Sequence, residues 1–294
     1  MDLINIDKNT YYIKGGTNTG VYRFSDNKIV LIDLGRSGLR VKKIDKIINN
    51  NNFTLTHILN THEHDDHTGA IYDIIQKYQE AKVLSSQNSK LYIENPSLFS
   101  QIMIGIKTED IKKIKVDKIL EEGKLTINNE EFQIYNLSGH TIGSIGILTP
   151  DKVLFVGDAL IDEKLLSKYD FQFIENIQNQ LETLDKIENI DFKCMILGHG
   201  NLILDKEQSR KLIQINRKSI NKYIDQTLEI LNTPTTVEKT LQKIILDNEL
   251  NYNYKEYHYL KTSLIVVINY LVDKNLVTYT LKNGELLYYN TQKQ

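Results

Sequence analysis

The chain contains few of the residues that mark several classes of protein. Its 294 residues include one cysteine, three prolines and no tryptophan. The single cysteine, Cys194, cannot form an internal disulfide, so the fold needs no oxidising compartment. No apolar run reaches the roughly 20 residues of a transmembrane helix. Because the N-terminus lacks a basic segment followed by an apolar one, we expect a cytoplasmic protein without membrane association.

The charge of the chain is nearly balanced, with 36 lysines and arginines against 38 aspartates and glutamates. The formal net charge is −2, which provides no general attraction to nucleic acids or to anionic membranes. A chain of this length can bury a substantial core, either as one large domain or as a large and a small one.

Histidine is also scarce, but five of the seven histidines form one spaced series with two aspartates. The members of this series are His62, His64, Asp66, His67, His140, Asp158 and His199. A divalent metal needs several imidazoles and carboxylates that converge on one point, so the series is a candidate metal site. Ligands without thiolate suit Zn, Fe or Mn, and of these we favour Zn.

Strand and helix patterns alternate through the first two thirds of the chain. Periodicity predicts strands at 11–14, 21–24, 28–33 and 55–60 and helices at 38–49 and 69–79. Further strands are predicted at 131–137, 144–148, 153–156 and 194–197, with a helix at 174–188. We expect residues 85–118 to be irregular, with Asn95-Pro96 and residues 103–106 covering the cleft. Strand–helix–strand order of this kind indicates an α/β fold with helices covering a sheet.

Each candidate ligand follows a predicted strand. The segment 62–67 follows one strand, and His140, Asp158 and His199 each follow another. Side chains at equivalent ends of neighbouring strands lie at one edge of a sheet, where the clefts of α/β folds open. The order of the series therefore places these residues around a single cleft.

Alternation along an extended segment suggests how the ligands divide. His62 and His64 are two residues apart, so both imidazoles can face one metal. After a turn, Asp66 and His67 can face a second metal beside it. The remaining residues complete the pair: His140 in the first site, His199 in the second and Asp158 as a bridge. Two metals about 3.5–4 Å apart can hold a water, lower its pKa and stabilise an oxyanion.

Four motifs in the series resemble those of the metallo-β-lactamase-fold hydrolases. They are Thr61–His67, Gly139–Thr141, Gly157–Ala159 and Gly198–Gly200, and the earlier Asp33–Gly35 matches as well. The resemblance covers roughly residues 10 to 205. It implies an αββα sandwich with a binuclear site at one edge. By that resemblance, one metal binds His62, His64 and His140, the second binds Asp66, His67 and His199, and Asp158 lies between them.

Departures from the family patterns narrow the choice of branch. Classical β-lactamases of this fold are exported and have a cysteine ligand where this chain has Asp158, so we do not expect lactam hydrolysis. Hydroxyacylglutathione hydrolases and acyl-homoserine-lactone hydrolases share all seven ligands. The tyrosine that the lactonases place three residues after the bridging aspartate is Ile161 here. The basic C-terminal glutathione-binding segment of the thioesterases has no clear counterpart.

The last part of the chain predicts a small second domain. A long helix up to residue 231 ends at Asn232-Thr233-Pro234, and helices are predicted at 236–246 and 256–275. Strands at 276–280 and 285–289 form a hairpin through Asn283-Gly284. This outline predicts an α+β winged helix at 233–294 after a catalytic domain at 1–232. It is similar to an appendage found in a branch that includes endoribonucleases for single-stranded RNA.

The charge of this second domain disfavours a nucleic-acid partner. Residues 235–294 contain seven lysines and six acidic residues, whereas nucleic-acid-binding modules usually have a clearly basic face. We therefore expect a small-molecule substrate. The sequence does not decide whether two copies of the chain form a homodimer.

Several residues near the motifs allow two interpretations of their role. Asp33 can support a metal ligand or form a turn. His57 can also support the site, although a structural role is the simpler interpretation. Glu63 and Asp65 alternate with the ligands and should face away from the metals. Three aromatic residues can either line the substrate pocket or belong to the core: Tyr169, Phe171 and Phe173.

The sequence thus predicts a binuclear metal-dependent hydrolase of a small ester, thioester or lactone. Metal-bound hydroxide would be the nucleophile, and Asp66 or Asp158 would orient it and shuttle its proton. Three alternatives stay open. They are a phosphodiesterase or endoribonuclease with the same metals, a mononuclear iron persulfide dioxygenase that uses His62, His64, His140 and Asp158, and a ligand-binding sensor.

Overall fold

Two stacked β-sheets form the centre of the protein. The computed structural model describes residues 3–98, 112–168, 170–200, 202–203 and 205–293. The first sheet contains β1 (Leu3–Asp7), β2 (Thr10–Ile13), β3 (Thr19–Arg23), β4 (Lys28–Ile32), β5 (Thr54–Leu59), β6 (Lys82–Ser85) and β7 (Lys118–Ile119), in that order. Strands β1 to β4 pair antiparallel, and β4 to β7 pair parallel.

The second sheet packs against the first and is also mixed. It contains β8 (Gly123–Ile127), β9 (Glu130–Asn136), β10 (Ile145–Leu148), β11 (Val153–Phe155), β12 (Cys194–Ile196) and β13 (Leu202–Ile203). Its strand order is β13-β12-β11-β10-β9-β8. Only the β11–β12 pair of this sheet is parallel within the described residues.

Apolar side chains from the facing surfaces fill the layer between the sheets. Strands that bury one face alternate inward apolar and outward polar residues, and β8 does so with Leu125 and Ile127 pointing inward. The Tyr22 ring lies edge-on to the rings of Phe24 and Phe132, with centroids 5.3 Å and 5.0 Å away. Cys194 is buried in the same layer.

Helices cover the outer faces of both sheets and complete an αββα sandwich. They are α1 (Leu39–Asn50), α2 (Asp65–Thr68), α3 (Ile71–Lys77), α4 (Gln87–Glu94), α5 (Glu163–Leu166), α6 (Ile177–Asn189) and α7 (Lys206–Ile230). Helix α1 buries Val41, Ile44, Ile47 and Ile48, which lie at helical spacing on one side. With α3 it covers the first sheet, whereas α6 and α7 contribute to the core on the second.

The structure confirms the predicted α/β sandwich but corrects the prediction that segment 85–118 is irregular. Helix α4 lies within it, and strand β6 ends at its first residue. The helix begins after Ser86, whose side chain accepts a hydrogen bond from the Ser89 amide. This N-cap satisfies one of the amides that have no partner within the helix. Of the two parts predicted to cover the cleft, Pro96 borders it, and residues 103–106 lie outside the described residues.

The C-terminal region consists of two helices and a hairpin. Helices α8 (Val237–Asp247) and α9 (Tyr254–Asp273) precede β14 (Val277–Lys282) and β15 (Glu285–Asn290), and a 3-10 turn follows at Thr291–Lys293. Asn283 and Gly284 have φ angles of 52° and 80°, as the predicted hairpin turn requires. The winged-helix assignment and the boundary at 232/233 stay predictions.

One apolar cluster joins the C-terminal helices to the sandwich. It contains residues of α6 and α7 together with residues of α8 and α9. Leu264, Val267 and Ile268 of α9 belong to this cluster and are at most 2% exposed. The C-terminal region is therefore part of a continuous core. Among the described helices, none combines the length and apolar character needed to cross a bilayer, and the cytoplasmic location stays a prediction.

Candidate metal centre

All seven residues of the predicted series meet at one end of the sandwich. His62 and His64 precede α2, which carries Asp66 and His67, while the loops after β9, β11 and β12 carry the other three. Their ligand atoms form two groups, and within each group these atoms lie within 4.8 Å of one another. The first group is His62, His64, His140 and Asp158, and the second is Asp66, His67 and His199.

The imidazole nitrogens of the first group face a common point. His64 Nδ1 lies 3.2 Å from His62 Nε2 and 3.1 Å from His140 Nε2. Three ring nitrogens this close cannot all satisfy one another as hydrogen-bond partners, because a neutral imidazole has one donor and one acceptor. A shared cation is the partner that would satisfy all three.

The second group is equally compact, and Asp158 lies between the groups. His199 Nε2 is 3.4 Å from His67 Nε2 and 3.2 Å from Asp66 Oδ2. Asp158 Oδ2 lies 3.9 Å from His62 Nε2, 3.8 Å from His140 Nε2 and 3.4 Å from His199 Nε2, and its Oδ1 lies 3.3 Å from His67 Nε2. This carboxylate therefore contacts both groups, as a bridging ligand would.

Hydrogen bonds from the opposite ring nitrogens fix how three of these histidines face the cluster. His67 Nδ1 lies 2.8 Å from Asp33 Oδ2, and His140 Nδ1 lies 3.0 Å from the Phe173 carbonyl oxygen. His199 Nδ1 contacts the Gly16 carbonyl oxygen. In a neutral imidazole, donation from Nδ1 leaves Nε2 as the acceptor directed into the cluster, which is the tautomer that a metal ligand requires. The donor set therefore fits divalent metal ions.

Asp33 forms a turn and also contacts His67, one of the candidate ligands. It directly follows β4 and has a φ of 50°, a conformation that is uncommon for residues other than glycine. Its buried carboxylate accepts hydrogen bonds from Asn60 Nδ2, from the Thr61 amide and from Thr61 Oγ1 at 2.6–3.0 Å, and it also contacts His67. The turn thus supports a histidine of the second group.

Two glycines of the motifs leave space that the site needs. A Cβ atom on Gly198 would lie 2.2 Å from Asp158 Oδ1 and 2.8 Å from His67 Cε1. Gly157 has a φ of 54°, and a Cβ there would lie 2.5 Å from Thr61 Oγ1. Any side chain at either position would displace these neighbours, which explains why glycine precedes Asp158 and His199.

The two groups differ in their protonation without metal. Burial and the neighbouring histidines His67 and His64 hold the pKa of His62 well below 6.5. Burial lowers the pKa of His64 to about 4, although Asp158 and Asp66 oppose it. Burial and His64 lower the pKa of His140 to about 4. These three imidazoles are neutral at pH 7 and can accept a metal without losing a proton.

The histidines of the second group behave in the opposite way. Burial would lower the pKa of His67, but the Asp158 and Asp33 carboxylates raise it to about 10. Burial is likewise outweighed at His199, where hydrogen bonds to Asp158 and Asp66 raise the pKa to about 11. In the metal-free protein the carboxylates therefore favour protonation of this pair, so a metal that binds here must compete with protons.

We predict that the two metal equivalents bind with different proton release. At pH 7 the equivalent held by the first group should release almost no proton, whereas the other should release at least one, because metals bind only deprotonated imidazole. The second equivalent should weaken as the pH falls, since protons then compete for His67 and His199. Titration calorimetry in buffers of different ionisation enthalpy measures the number of protons released with each metal equivalent. Equal numbers for the two equivalents would contradict this prediction.

Other candidate residues lie outside the cluster. The Glu63 side chain is buried and accepts hydrogen bonds from Ser89 Oγ at 2.6 Å and Thr141 Oγ1 at 3.1 Å. It faces away from the ligand atoms, as predicted, yet it joins α4 to the loop that carries His140. Asp65 is exposed beside Arg36, and His57 lies on β5 with its Nδ1 3.0 Å from Thr56 Oγ1.

The cluster opens into a cleft with a volume of about 1180 Å³. Phe173 lines it, and its ring centroid lies 5.9 Å from that of His64 and 6.1 Å from that of His140. Phe171 also borders the cleft but stacks on Tyr223, at 4.4 Å and 15°, as a core residue does. Tyr169 lies outside the described residues.

The C-terminal region forms part of the cleft wall, which the sequence did not reveal. The residues that contribute are Leu250, Asn251, Lys255, Glu256, Tyr259 and Leu260. No local pattern shows this contribution, because it depends on how α9 packs across α6 and α7.

Comparisons with known proteins agree with this geometry. The family model of the metallo-beta-lactamase superfamily matches residues 12–199. Hydroxyacylglutathione hydrolase 1 of Vibrio vulnificus is 27% identical over 254 residues, which cover 81% of this chain and 89% of that protein. The hydroxyacylglutathione hydrolase of Prochlorococcus marinus is 24% identical, with 78% of this chain and 81% of the relative covered.

Two solved structures share the fold over nearly the whole chain. A metallo-beta-lactamase family protein from Thermus thermophilus superposes with a TM-score of 0.71 at 15% identity, covering 96% of this chain and 98% of its own. A beta-lactamase domain protein from Burkholderia ambifaria superposes with a TM-score of 0.74 at 13% identity, covering 99% of this chain and 94% of its own. The family match spans the motifs through His199, whose side chains converge at one end of the sandwich. The chain therefore belongs to the metallo-β-lactamase superfamily and is a metal-dependent hydrolase.

Proposed function

We propose that this protein binds two divalent metal ions and hydrolyses a small thioester, with esters and lactones as related substrates. The observation that carries the proposal is the division of the seven side chains into two groups that share contacts with Asp158. One carboxylate between two histidine groups is the arrangement that a binuclear site needs. Zn is the metal that we favour, and Fe and Mn suit the same donors.

The metal pair, when bound, would supply an acidified water and polarise the carbonyl of the substrate. The chain's own contribution is to hold the charges that orient these groups. Burial would raise the pKa of Asp66, but the hydrogen bond from His199 and the charge of His67 hold it below its usual range. Burial is also outweighed at Asp158, where His67 and His199 lower the pKa strongly.

Because both carboxylates stay ionised at neutral pH, they suit orientation of the attacking water better than storage of its proton. Asp66 borders the cleft and can accept a hydrogen bond from that water, whereas Asp158 lies deeper between the groups. We therefore assign Asp66 the orienting role and Asp158 the bridging role.

The thioester class is favoured by the relatives and by the cleft. The relatives described above are named hydroxyacylglutathione hydrolases, and the acyl bond to glutathione in that name is a thioester. Ile161 borders the cleft at the position where the lactonase pattern has a tyrosine, so it offers no hydroxyl to a lactone. A thioester carbonyl needs no such donor when metals polarise it.

The test is a substrate panel with controlled metal content. Protein loaded separately with Zn, Fe or Mn is assayed on thioesters, esters, lactones and a bis-aryl phosphodiester, with elemental analysis of each sample. We expect thioester turnover that a chelator abolishes and added metal restores. Asp158→Asn keeps the shape but removes the shared charge, so it should lose the second metal equivalent first and most of the activity.

The other outcomes distinguish the alternatives. Turnover of the phosphodiester alone, together with RNA affinity that falls steeply as the salt concentration rises, would indicate that the protein is a nuclease rather than a thioesterase. One iron per chain with oxygen consumption on a persulfide would indicate a dioxygenase. Full metal loading without any turnover would indicate a sensor.

A further inference from the structure

A chain of aromatic contacts connects the candidate metal centre to the C-terminal region. The Phe173 ring packs against the imidazoles of His64 and His140, and its carbonyl oxygen accepts the hydrogen bond from His140 Nδ1. Tyr259, in the second turn of α9, meets Phe173 edge-on, with centroids 5.4 Å apart at 80°. The first group of ligands is thus one aromatic ring away from the C-terminal helix.

The rings of Phe173 and Tyr259 both border the cleft. Leu260 and Leu250 extend this wall with apolar side chains. The Lys255 Nζ lies 5.6 Å from the centroid of the Tyr259 ring, where the cation is attracted to the ring face. The C-terminal wall thus presents Tyr259, Leu250 and Leu260 as apolar side chains beside the polar Asn251, Lys255 and Glu256.

Charged residues around the cleft are largely paired within the protein. Lys112 Nζ lies 2.7 Å from Asp73, and the Arg36 guanidinium lies 3.8 Å from Asp65. The Glu256 carboxylate accepts a hydrogen bond from the Asn253 amide in the capping box of α9. Such pairing leaves apolar surface, rather than a net charge of one sign, as the feature that a ligand meets on this wall.

We propose that Phe173 and Tyr259 form an aromatic shelf that binds an apolar acyl group of the substrate next to His64 and His140. The C-terminal region is then a wall of the active site, and Tyr259 determines specificity without being a catalytic residue. This inference rests on the function proposed above and extends it to a substrate class: thioesters and esters whose acyl chain is uncharged and several carbons long.

The size of the preference follows from burial of methylene groups. Each methylene removed from water contributes about fourfold to binding, from about 0.8 kcal/mol per group. An acyl chain that reaches across the shelf should gain this factor for each added carbon until it passes Tyr259. Removing the Tyr259 ring should abolish that gain for the carbons that contact it, so the loss should be smallest for the shortest acyl chains.

The experiment is a chain-length series with matched variants. Metal-loaded wild type, Tyr259→Ala, Tyr259→Phe and Tyr279→Ala are compared on neutral thioesters with acyl chains from acetyl to octanoyl. Tyr279 is 59% exposed on the hairpin, so its variant controls for loss of a tyrosine in the same region. We expect kcat/KM to rise with chain length in wild type, Tyr259→Phe and Tyr279→Ala, and to stay flat in Tyr259→Ala, mainly through KM.

Two readouts separate the shelf from a structural role. Metal content should be unchanged in Tyr259→Ala and its loss of kcat/KM should grow with chain length, whereas an equal loss at all chain lengths would mean that Tyr259 only supports the fold. A chain-length profile that Tyr259→Ala leaves unaltered would also overturn the inference.

A binding measurement tests the shelf separately from hydrolysis. Calorimetric titration of the same metal-loaded proteins with acetate, hexanoate and octanoate should show an affinity gain with length in wild type that Tyr259→Ala lacks. If this gain is present while no thioester is turned over, the proposed function fails and the shelf stands. If turnover occurs without any such gain, the shelf fails and the function stands.

Discussion

Replacing His140 by alanine should remove most of the bound metal and nearly all metal-dependent hydrolysis. Its Nε2 lies 3.1 Å from His64 Nδ1, so the first group would keep only two imidazoles and the shared Asp158. Residues that merely orient a metal ligand are worth about 10–100-fold in affinity, so loss of a ligand should cost at least about 100-fold. Elemental analysis after dialysis and thioester turnover at saturating substrate measure the two effects.

His57→Ala is the matched control for this variant. His57 is a half-buried histidine only a few residues before the ligand series, yet its ring lies on β5 outside the cluster. We expect its metal content and activity to match those of the wild type. Two metal equivalents retained in His140→Ala would show that His140 is not a ligand, and a comparable loss in His57→Ala would show that the effect is not specific.

The convergence of the seven candidate ligands could be predicted because each one belongs to a short sequence motif. Asp158 and His199 each follow a strand and a glycine, and the atoms that leave no room for a Cβ at those glycines belong to other loops of the same site. The direction of the strands then brings their ends to one edge of the sandwich, so the order of the motifs is enough to predict that these side chains meet. Both the residues and the edge of the sandwich where they meet were therefore predictable.

Features that depend on packing between distant segments could not be predicted. Helix α4 buries only Ser89 and Ile93, which is too weak a periodic signal to distinguish it from a loop. Alternation predicted that Glu63 faces away from the metals, but its partners Ser89 and Thr141 come from other parts of the chain. The position of Tyr259 beside Phe173 likewise depends on how α9 packs across the sandwich.

The second large effect should come from the contact between α9 and the sandwich. Leu264 is fully buried in the cluster shared with α6 and α7, whereas its neighbour Ile265 is 37% exposed. In Leu264→Asp a carboxylate would be buried without a partner, which costs roughly 4 kcal/mol or more. A domain has only about 5–15 kcal/mol of net stability. We expect this variant to unfold at much lower denaturant concentration, while Ile265→Asp stays close to wild type.

Deleting residues 233–294 tests the same contact on a larger scale. The side of α7 that packs on α8 and α9 would then face water, including Ile220 and Ile224. An exposed apolar surface of this kind promotes association, so the truncated protein should bind a hydrophobic dye and elute as aggregates from size exclusion. The seven ligands remain in the truncated chain. A monomeric, metal-loaded product with unchanged stability would show that the C-terminal region is an independent appendage, and the boundary at 232/233 would then separate two self-sufficient domains.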